Sequence, residues 1–450
     1  MSTKPQHTPP TGAPGARLDH THDLAARSWV ASANGHAVFP LQNLPLGRWA
    51  TTDGNLHVGT AIGDQVLDLA ALAASPKLDD ATRQALQPVA GGDLSVLMAA
   101  GPAASRALRH VVFGLLSEAA PAGGRAAVEA ALSPLDGVRM VLPCRSFNFS
   151  DFYSSIHHAT RIGAMVRPDN PLLPNYRWLP VAYQGRTSSL LPAGTPFHRP
   201  RGQVPGADKL PVYAPSAKLD YEAELGFLTG RSNPLGEPVP LAQARDHLFG
   251  VSLLNDWSAR DIQFWEYAPL GPFLGKSFAT HLGGWVVTRE ALEPFWTAPP
   301  WADDPEHRLL PHLDSRAERE GGALDLTVEV HIRSERMRQA GLAPMRLSRS
   351  SYRDSYWTVA QLIAHQTSNG ANLEPGDLLG SGTLSGPTDD ARACLMELTT
   401  GGREPFVLPS GESRTFLADG DEVVMSGYCE RPGFARIGLG VLVASVLPAR

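Results

Sequence analysis

Acidic residues stand in three short motifs whose spacing could bring carboxylates and a base together. Asp151 precedes His158 by seven residues, so in a helix both would lie on one face and could combine a metal ligand with a general base. Glu222 and Glu224 alternate in a strand-like segment and would point to the same side of it. The alternatives, a helix-capping aspartate with a surface histidine and a solvated pair of glutamates, stay open on spacing alone.

The third motif combines an acid, a guanidinium, an amide and a phenol. Asp256, Arg260, Gln263 and Tyr267 are spaced by 4, 3 and 4 residues, which predicts one face of a helix that Pro269 ends. Flanking apolar residues that indicate a largely buried helix are Trp257, Ile262 and Trp265. A polar stripe on such a helix is typical of a functional site, whereas on a solvated face it would be unremarkable.

The acidic residues of these motifs suggest the kind of metal that they could bind. Asp151, Glu222, Glu224 and Asp256 offer only oxygen ligands, which favours calcium or magnesium over zinc or copper. If they met within ~4 Å, each pair would repel by about 4 kcal/mol at an effective dielectric of ~20. A cation would then be needed to keep the cluster ionised. The spacing leaves open whether the four residues meet.

Composition excludes several other classes of protein. The 450 residues include 43% hydrophobic and 19% charged residues and carry a net charge of -6, which argues against membrane spans and nucleic-acid binding. The three cysteines, Cys144, Cys394 and Cys429, are far apart, which indicates a reducing, cytoplasmic location. The segment Gly271–Ser277 imitates a phosphate-binding loop, but it has three residues between its glycines where that loop needs four.

The elements that must carry the motifs indicate an α+β, β-rich fold. Residues 1–27, rich in Pro, Gly, Thr and Ala, predict a disordered tail. Residues 28–143 predict a small scaffold domain, and residues 144–450 predict a catalytic domain in which charged motifs lie between strand-like segments.

Individual elements follow from local patterns. Leu56–Leu69 predicts two strands around a Gly63-Asp64 turn, and residues 70–135 predict helices with breaks at Gly91-Gly92 and Gly123-Gly124. In the larger domain, the expected elements are strands at Leu326–Ile332 and Glu422–Met425 and a long surface loop over 297–322.

The motifs resemble those of the fumarylacetoacetate hydrolase family. The segments that carry the resemblance are Phe39–Gly47, Asp151–Thr160, Leu179–Arg186, Asn255–Gln263, Pro269–Phe278 and Asp419–Glu422. The resemblance runs from about Arg27 to the C-terminus. It implies an N-terminal antiparallel barrel, a C-terminal mixed β-roll that dimerises, and metal-dependent hydrolysis of a carbon–carbon bond in 4-fumarylacetoacetate. That reaction, the last step of tyrosine and phenylalanine degradation, yields fumarate and acetoacetate.

The resemblance also implies roles for individual residues. The implied calcium ligands are Asp151, Glu222, Glu224 and Asp256, and the implied magnesium site comprises Asp256, Lys276 and Thr280. His158, not His157, matches the general base, and Glu397 matches the carboxylate that orients it. The implied oxyanion donors are Arg260, Gln263 and Lys276. The implied substrate contacts are Tyr153, Arg167, Tyr183, Gln263, Tyr267 and Thr383.

Three positions depart from the family pattern. Gln184 stands where His is usual, and Ala182 and Ala279 each stand where Gly is usual. Because Ala279 lies beside the implied magnesium site, it fits only if the backbone there needs no positive φ. Two other functions also stay open: a related hydrolase, decarboxylase or hydratase acting on another 2-oxo or 1,3-diketo acid, and a metal-stabilised binding module without enzymatic activity.

Overall fold

The computed structural model describes residues 16–450 except 52, 53, 209 and 306. The strands before residue 144 are β1 (Leu46–Ala50), β2 (Leu56–Ile62), β3 (Gln65–Asp68), β4 (Leu132–Pro134) and β5 (Arg139–Met140). The helices of the same part are α1 (Leu69–Ala73), α2 (Asp80–Leu86), α3 (Leu94–Ala100), α4 (Pro102–Leu116) and α5 (Ala122–Glu129).

The second part of the chain is richer in strands. They are β6 (Phe149–Phe152), β7 (Ala182–Gln184), β8 (Leu190–Pro192), β9 (Phe197–His198), β10 (Arg201–Pro205), β11 (Pro211–Pro215), β12 (Leu219–Asp220), β13 (Ala223–Thr229), β14 (Leu248–Asp256), β15 (Ser258–Ala259), β16 (Thr280–Leu282), β17 (Trp285–Thr288), β18 (Trp296–Thr297), β19 (Ala323–Leu324), β20 (Thr327–Arg333), β21 (Met345–Ser351), β22 (Leu378–Gly380), β23 (Phe406–Val407), β24 (Ser413–Arg414), β25 (Glu422–Cys429) and β26 (Ile437–Leu447).

Its α-helices are α6 (Ile156–Val166), α7 (Leu241–Ala244), α8 (Arg260–Glu266), α9 (Arg289–Leu292), α10 (Arg316–Gly321), α11 (Glu335–Gln339), α12 (Val359–Thr367) and α13 (Leu395–Leu398). Short 3-10 helices lie at His20–His22, Ala31–Ala33, Gln87–Val89, Leu135–Gly137, Thr187–Ser189, Arg245–His247, Glu293–Phe295, Tyr352–Asp354 and Asp389–Ala391.

The N-terminal strands form one end of a large mixed sheet. β2 and β3 pair around the Gly63-Asp64 turn, as predicted. β1 pairs with β2 on one side, and its first residues also pair with β17 from the second part of the chain. The sheet therefore continues across the two parts in the order β4-β3-β2-β1-β17-β14-β13-β22-β6-β7. Among the described residues these strands form no closed barrel, so the predicted barrel is not confirmed, although the α+β, β-rich class is.

Part of the predicted tail makes long-range contacts. Asp19 caps the 3-10 helix that follows it, and the buried His22 ring lies 2.8 Å from the carbonyl of Glu290 through Nε2. Arg109 donates to Thr21 Oγ1 at 2.9 Å. These long-range contacts order a segment whose composition alone indicated disorder. The rest of the predicted tail, through residue 15, lies outside the described residues.

Long-range packing overrides two other local patterns. Gly123 and Gly124 lie inside α5 and do not break it, because that helix packs on α4 through Ala127 and Val128. The predicted surface loop over 297–322 contains α10 and buries Trp301. Its apolar side chains join the core of the second part, which the Pro, Asp and Glu content of the segment does not indicate.

The centre of the large sheet is buried on both faces. Every residue of β13 and of β14 is buried, and the two strands are antiparallel neighbours. A second sheet of order β21-β20-β25-β26-β9 contains the predicted strands at Leu326–Ile332 and Glu422–Met425. No helix among the described residues is long and apolar enough to cross a membrane.

Candidate active site

Four adjacent strands of the large sheet, β14-β13-β22-β6, bring the acidic motifs together. Asp256 is the last residue of β14, Glu224 is the second of β13, and Asp151 lies on β6 opposite Gly380 of β22. Carboxylate oxygens of Asp151, Glu222 and Glu224 all lie within 4.8 Å of one another, and all three residues are buried. The strand order thus assembles carboxylates that are spread over 105 positions of the chain, from Asp151 to Asp256.

The structure corrects the predicted helix that would have carried both Asp151 and His158. Asp151 is on a strand, and α6 begins only at Ile156 because the Ser155 side chain accepts a hydrogen bond from the His158 amide at 3.1 Å and caps the helix there. The two residues share no helical face. They nevertheless line the same cavity, because the turn between β6 and α6 directs both toward it.

The predicted helix over the third motif is also shorter than expected. α8 spans Arg260–Glu266, so Asp256 belongs to a strand and Tyr267 follows the helix. Arg260, Gln263 and Tyr267 still line the same cavity. Trp265 is 43% exposed, so the helix is only half-buried.

Two cationic side chains lie among the carboxylates of Asp151, Glu222, Glu224 and Asp256, which together form the acidic cluster. The Lys276 ammonium contacts Glu222 and lies 3.0 Å from Asp256 Oδ2, and Arg260 Nη1 lies 2.7 Å from Glu222 Oε1. Although burial alone would raise the pKa of Glu222, Lys276 and Arg260 lower it well below its ordinary value. Glu222 is therefore held ionised by the protein itself.

The other two carboxylates lack such partners. Burial first, and then the charges of neighbouring acids, raise the pKa values of Asp151 and Glu224 well above their ordinary range. Asp151 Oδ1 and Glu224 Oε1 are buried and have no hydrogen-bond partner among the described residues. Buried oxygens without partners in an all-carboxylate set fit a hard divalent cation, which would satisfy them and favour their ionised forms.

The residues implied for a second metal ion also meet. Thr280 donates a hydrogen bond to Asp256 Oδ1, and the Lys276 ammonium lies 3.3 Å from the Asp256 carbonyl. Ala279 is not among the non-glycine residues with positive φ in the described chain, so its side chain causes no backbone strain there. The Tyr183 hydroxyl also donates to Asp256. Asp256 therefore contacts the side chains of Tyr183, Lys276 and Thr280.

A histidine and a glutamate form a buried pair beside the acidic cluster. His158 Nδ1 lies 2.7 Å from Glu397 Oε2, and the Ser385 hydroxyl donates to the same oxygen. Arg161 lies 3.3 Å from Glu397 Oε1. Burial alone would raise the pKa of Glu397, but the charge of His158 and its hydrogen bond lower it to about 2. An ionised Glu397 fixes the His158 tautomer with its proton on Nδ1 and leaves Nε2 as the proton acceptor.

These groups surround a single cavity of about 930 Å³. The predicted site residues that line it are Asp151, Tyr153, His158, Arg167, Tyr183, Glu222, Arg260, Gln263, Tyr267, Lys276 and Thr383. Four other predicted site residues are buried outside this lining and contact the lining residues or the acidic cluster: Glu224, Asp256, Thr280 and Glu397. The structure therefore brings every predicted site residue to one place.

Sequence comparisons place the chain among known proteins. A family model described as Fumarylacetoacetase N-terminal matches residues 42–143, and one described as Fumarylacetoacetate (FAA) hydrolase C-terminal matches residues 148–447. The chain is 44% identical to the fumarylacetoacetase of Bos taurus and 43% identical to that of Homo sapiens, in each case over 91% of this chain and 96% of the relative. The Arabidopsis thaliana fumarylacetoacetase is 40% identical over the same shares.

The chain belongs to the fumarylacetoacetase family.

These relatives come from animals and a plant, and the match covers 96% of each of them. The family is the one that the motif resemblance predicted. Among solved structures, an HpcE protein from Mycobacterium smegmatis is 19% identical and matches 90% of this chain and all of its own with a TM-score of 0.50. That likeness concerns the fold alone.

The candidate site contains residues that the motifs did not reveal. Asp220 contacts Arg260, Ser385 contacts Glu397, and Gly380 lies between Asp151 and Glu224. Asp220 shares the alternation of Glu222 and Glu224, so its spacing was a usable signal. Ser385 and Gly380 had none, because their neighbours at the site come from distant strands and helices.

We expect Gly380→Ala to abolish cation binding at the acidic cluster. A Cβ at this position would lie 2.4 Å from Asp151 Oδ1 and 3.1 Å from Glu224 Oε2, so the methyl group would displace both ligands. The measurement is the rise in melting temperature on adding calcium, which should disappear. Gly114→Ala is the control, because a Cβ there meets nothing within 4 Å. An undiminished calcium shift in Gly380→Ala would contradict the expectation.

Proposed function

We propose that this protein hydrolyses the carbon–carbon bond of 4-fumarylacetoacetate to fumarate and acetoacetate, as the last step of tyrosine and phenylalanine degradation. The supporting observation is that His158, held by Glu397, faces the same cavity as Arg260, Gln263 and Lys276 and an acidic cluster with unpartnered oxygens. This arrangement supplies a base, oxyanion donors and a cation site around one substrate-sized space. The full-length fumarylacetoacetase relatives support the same substrate.

His158 acts as the general base in this proposal. While the His158 Nδ1–H group donates to Glu397, Nε2 removes a proton from water, and the resulting hydroxide adds to the carbonyl carbon next to the bond that breaks. When the tetrahedral adduct collapses, the carbon–carbon bond electrons pass to the acetoacetate fragment. His158 returns its proton to that carbanion, so the base is regenerated.

Arg260, Gln263 and Lys276 stabilise the negative charge that develops on the attacked oxygen. All three line the cavity, and Arg260 Nη2, which lies 2.9 Å from Asp220 Oδ2, has no other polar partner among the described residues. Burial alone would lower the pKa of each cation, but Glu222 and Asp220 raise that of Arg260, while Asp256 and Glu222 raise that of Lys276. Both side chains therefore stay charged where the oxyanion forms.

The remaining lining groups bind the substrate. Arg167 and Tyr153 suit a substrate carboxylate, since an arginine fork and a hydroxyl both donate to it. Gln263 and Tyr267 provide further donors along the cavity wall, and the Tyr183 hydroxyl, which donates to Asp256, offers an acceptor oxygen. The Thr383 hydroxyl is buried without a hydrogen-bond partner among the described residues, so it is available to the substrate.

Calcium would be held by Asp151, Glu222, Glu224 and Asp256. The magnesium site would be formed by Asp256, Lys276 and Thr280. Bound calcium would supply Lewis-acid polarisation of the two diketone oxygens and stabilise an enolate leaving group. The unpartnered oxygens of Asp151 and Glu224 support the first site, and the Thr280 hydroxyl beside Asp256 Oδ1 supports the second.

We further propose a cytoplasmic homodimer with an N-terminal domain over 28–143 and a catalytic domain over 144–450. The boundary is supported by two family matches that meet between residues 143 and 148. Three buried free cysteines suit a reducing compartment. Light scattering during size exclusion tests the dimer, which should have twice the 48.2 kDa mass of the chain.

The substrate assay tests the reaction. Purified protein should abolish the absorbance of the conjugated diketone in fumarylacetoacetate, lose this activity after chelation and regain it when calcium is added. Turnover of an acylpyruvate or another 2-oxo acid, with fumarylacetoacetate untouched, would favour a related hydrolase. A calcium-dependent melting shift without hydrolysis of any diketone would favour a binding module.

A further inference from the structure

The Asp220 carboxylate, which is buried outside the cavity lining, contacts both Arg260 and the start of the helix that carries Glu397. Asp220 is fully buried in β12, which pairs with β15 immediately before Arg260. Its Oδ2 accepts a hydrogen bond from Arg260 Nε at 2.9 Å. The same carboxylate accepts hydrogen bonds from the backbone amides of Leu395 at 2.7 Å and Met396 at 2.9 Å.

Those two amides begin the short helix α13, which carries Glu397. The residue that precedes this helix, Cys394, makes no side-chain capping hydrogen bond, so Asp220 is the acceptor for its first amides. Glu397 is one residue beyond Met396, and its carboxylate holds His158. One side chain thus fixes both the start of the helix that orients the base and the guanidinium that faces the oxyanion.

Hydrogen bonds and ion pairs with Asp220 and Glu222 set the orientation of the Arg260 guanidinium. Asp220 accepts from Nε, whereas Nη1 lies 2.7 Å from Glu222 Oε1. Nη2 also lies 2.9 Å from Asp220 Oδ2, so Asp220 holds two nitrogens of the fork and Glu222 contacts the third. Without Asp220, the guanidinium would be held only through Nη1, by Glu222 and by Gln263 Oε1 at 3.3 Å, and could turn toward the acidic cluster.

We propose that Asp220 is a positioning residue that keeps Arg260 and the His158–Glu397 pair in a fixed relation across the cavity. This proposal rests on the proposed function. Asp220 does not line the cavity and therefore acts only through its contacts with Arg260 and with the first amides of α13. Because displacement of a reacting group by about 1 Å can cost about 10²-fold in rate, loss of this shared contact should affect kcat far more than substrate binding.

Steady-state kinetics of Asp220→Asn and Asp220→Glu test the proposal. We expect both variants to lower kcat by about 10²-fold while KM changes by less than about threefold and the calcium-dependent melting shift persists. The glutamate keeps the negative charge but moves it by one methylene, so a role limited to charge balance predicts near wild-type kcat for Asp220→Glu. That result would overturn the proposal.

Asp421→Asn is the matched control. Asp421 is also fully buried, and it binds the Arg414 fork at 2.8 and 2.9 Å and the backbone amide of Ala418 at 2.8 Å, but neither Asp421 nor Arg414 lines the cavity. This control should lower the melting temperature and leave kcat within about twofold of wild type. An equal loss of kcat in Asp421→Asn and Asp220→Asn would assign the effect to general destabilisation and contradict the proposal.

A double-mutant cycle and a spectroscopic measurement separate this proposal from the proposed function. Because Asp220 acts partly through Arg260 and partly through α13, Asp220→Asn should lower kcat in an Arg260→Met background by clearly less than in the wild type but still measurably. Histidine-selective ¹⁵N NMR should show a shifted His158 ring signal in Asp220→Asn, with His158→Ala used to assign that signal. A wild-type protein inactive on fumarylacetoacetate refutes the function alone, whereas an unchanged His158 signal refutes the positioning role.

Discussion

His158→Ala is expected to lower kcat by about 10²–10⁴-fold, the usual contribution of a general base, while calcium binding persists. Among the described residues, the His158 imidazole is the only group lining the cavity that Glu397 holds. The imidazole donates no described hydrogen bond to a carboxylate of the acidic cluster. Removal of the ring therefore removes the proton acceptor and leaves the cation ligands in place. Single-turnover absorbance measurements, with a calcium titration of the melting temperature, check both parts.

His157→Ala is the matched control for this substitution. His157 is the preceding residue of the same helix, α6, and it does not line the cavity. The control should therefore retain wild-type kcat. Near wild-type turnover in His158→Ala, or an equal loss in both variants, would show that the base has been assigned to the wrong residue.

Glu224→Gln is expected to remove both calcium-dependent activity and calcium-dependent stabilisation. In the wild-type protein, calcium at 100 times its Kd should add about 2.7 kcal/mol to the free energy of unfolding. Glutamine keeps an acceptor for the Gly382 amide, which lies 3.1 Å from Glu224 Oε2, but it lacks the negative charge that the cation needs. Calorimetry with and without calcium measures the loss.

The same substitution should stabilise the metal-free protein at neutral and higher pH. Burial, followed by the charges of Asp151 and Glu222, raises the folded-state pKa of Glu224 above its unfolded value. Folding then takes up a proton, so the stability of the chelated wild type should fall as pH rises from the unfolded pKa of about 4.3 through the raised folded value. Glu224→Gln cannot ionise, so this decline should be smaller in the variant.

Glu318→Gln provides the control for the pH experiment. Glu318 is also buried with a raised pKa, mainly because of desolvation, but it lies outside the acidic cluster and the cavity. This variant should keep the full calcium shift. A calcium shift of wild-type size in Glu224→Gln would mean that the cation binds elsewhere.

Local sequence patterns predicted elements more reliably than their boundaries. The hairpin at Gly63-Asp64 and the strand near Leu326–Ile332 are confirmed because turn chemistry and β-branched content act over a few residues. The helix expected to join Asp151 to His158 was wrong, since the local serine cap at Ser155 starts α6 later. Helical spacing alone could not reveal that Asp151 pairs with Gly380 in a parallel ladder.

The sequence by itself determined the chemistry available: four oxygen ligands suited to a hard cation, one imidazole, and a guanidinium, an amide and an ammonium in adjacent motifs. Only the tertiary structure decided which of these groups meet. Glu397 reaches His158 across 239 positions, and Asp220 reaches the amides of α13 across 175 and 176 positions. Such contacts depend on strand order and register, which arise from packing of the whole core and not from any local pattern. The room between Asp151 and Glu224 likewise exists because Gly380, from a distant strand, has no side chain there.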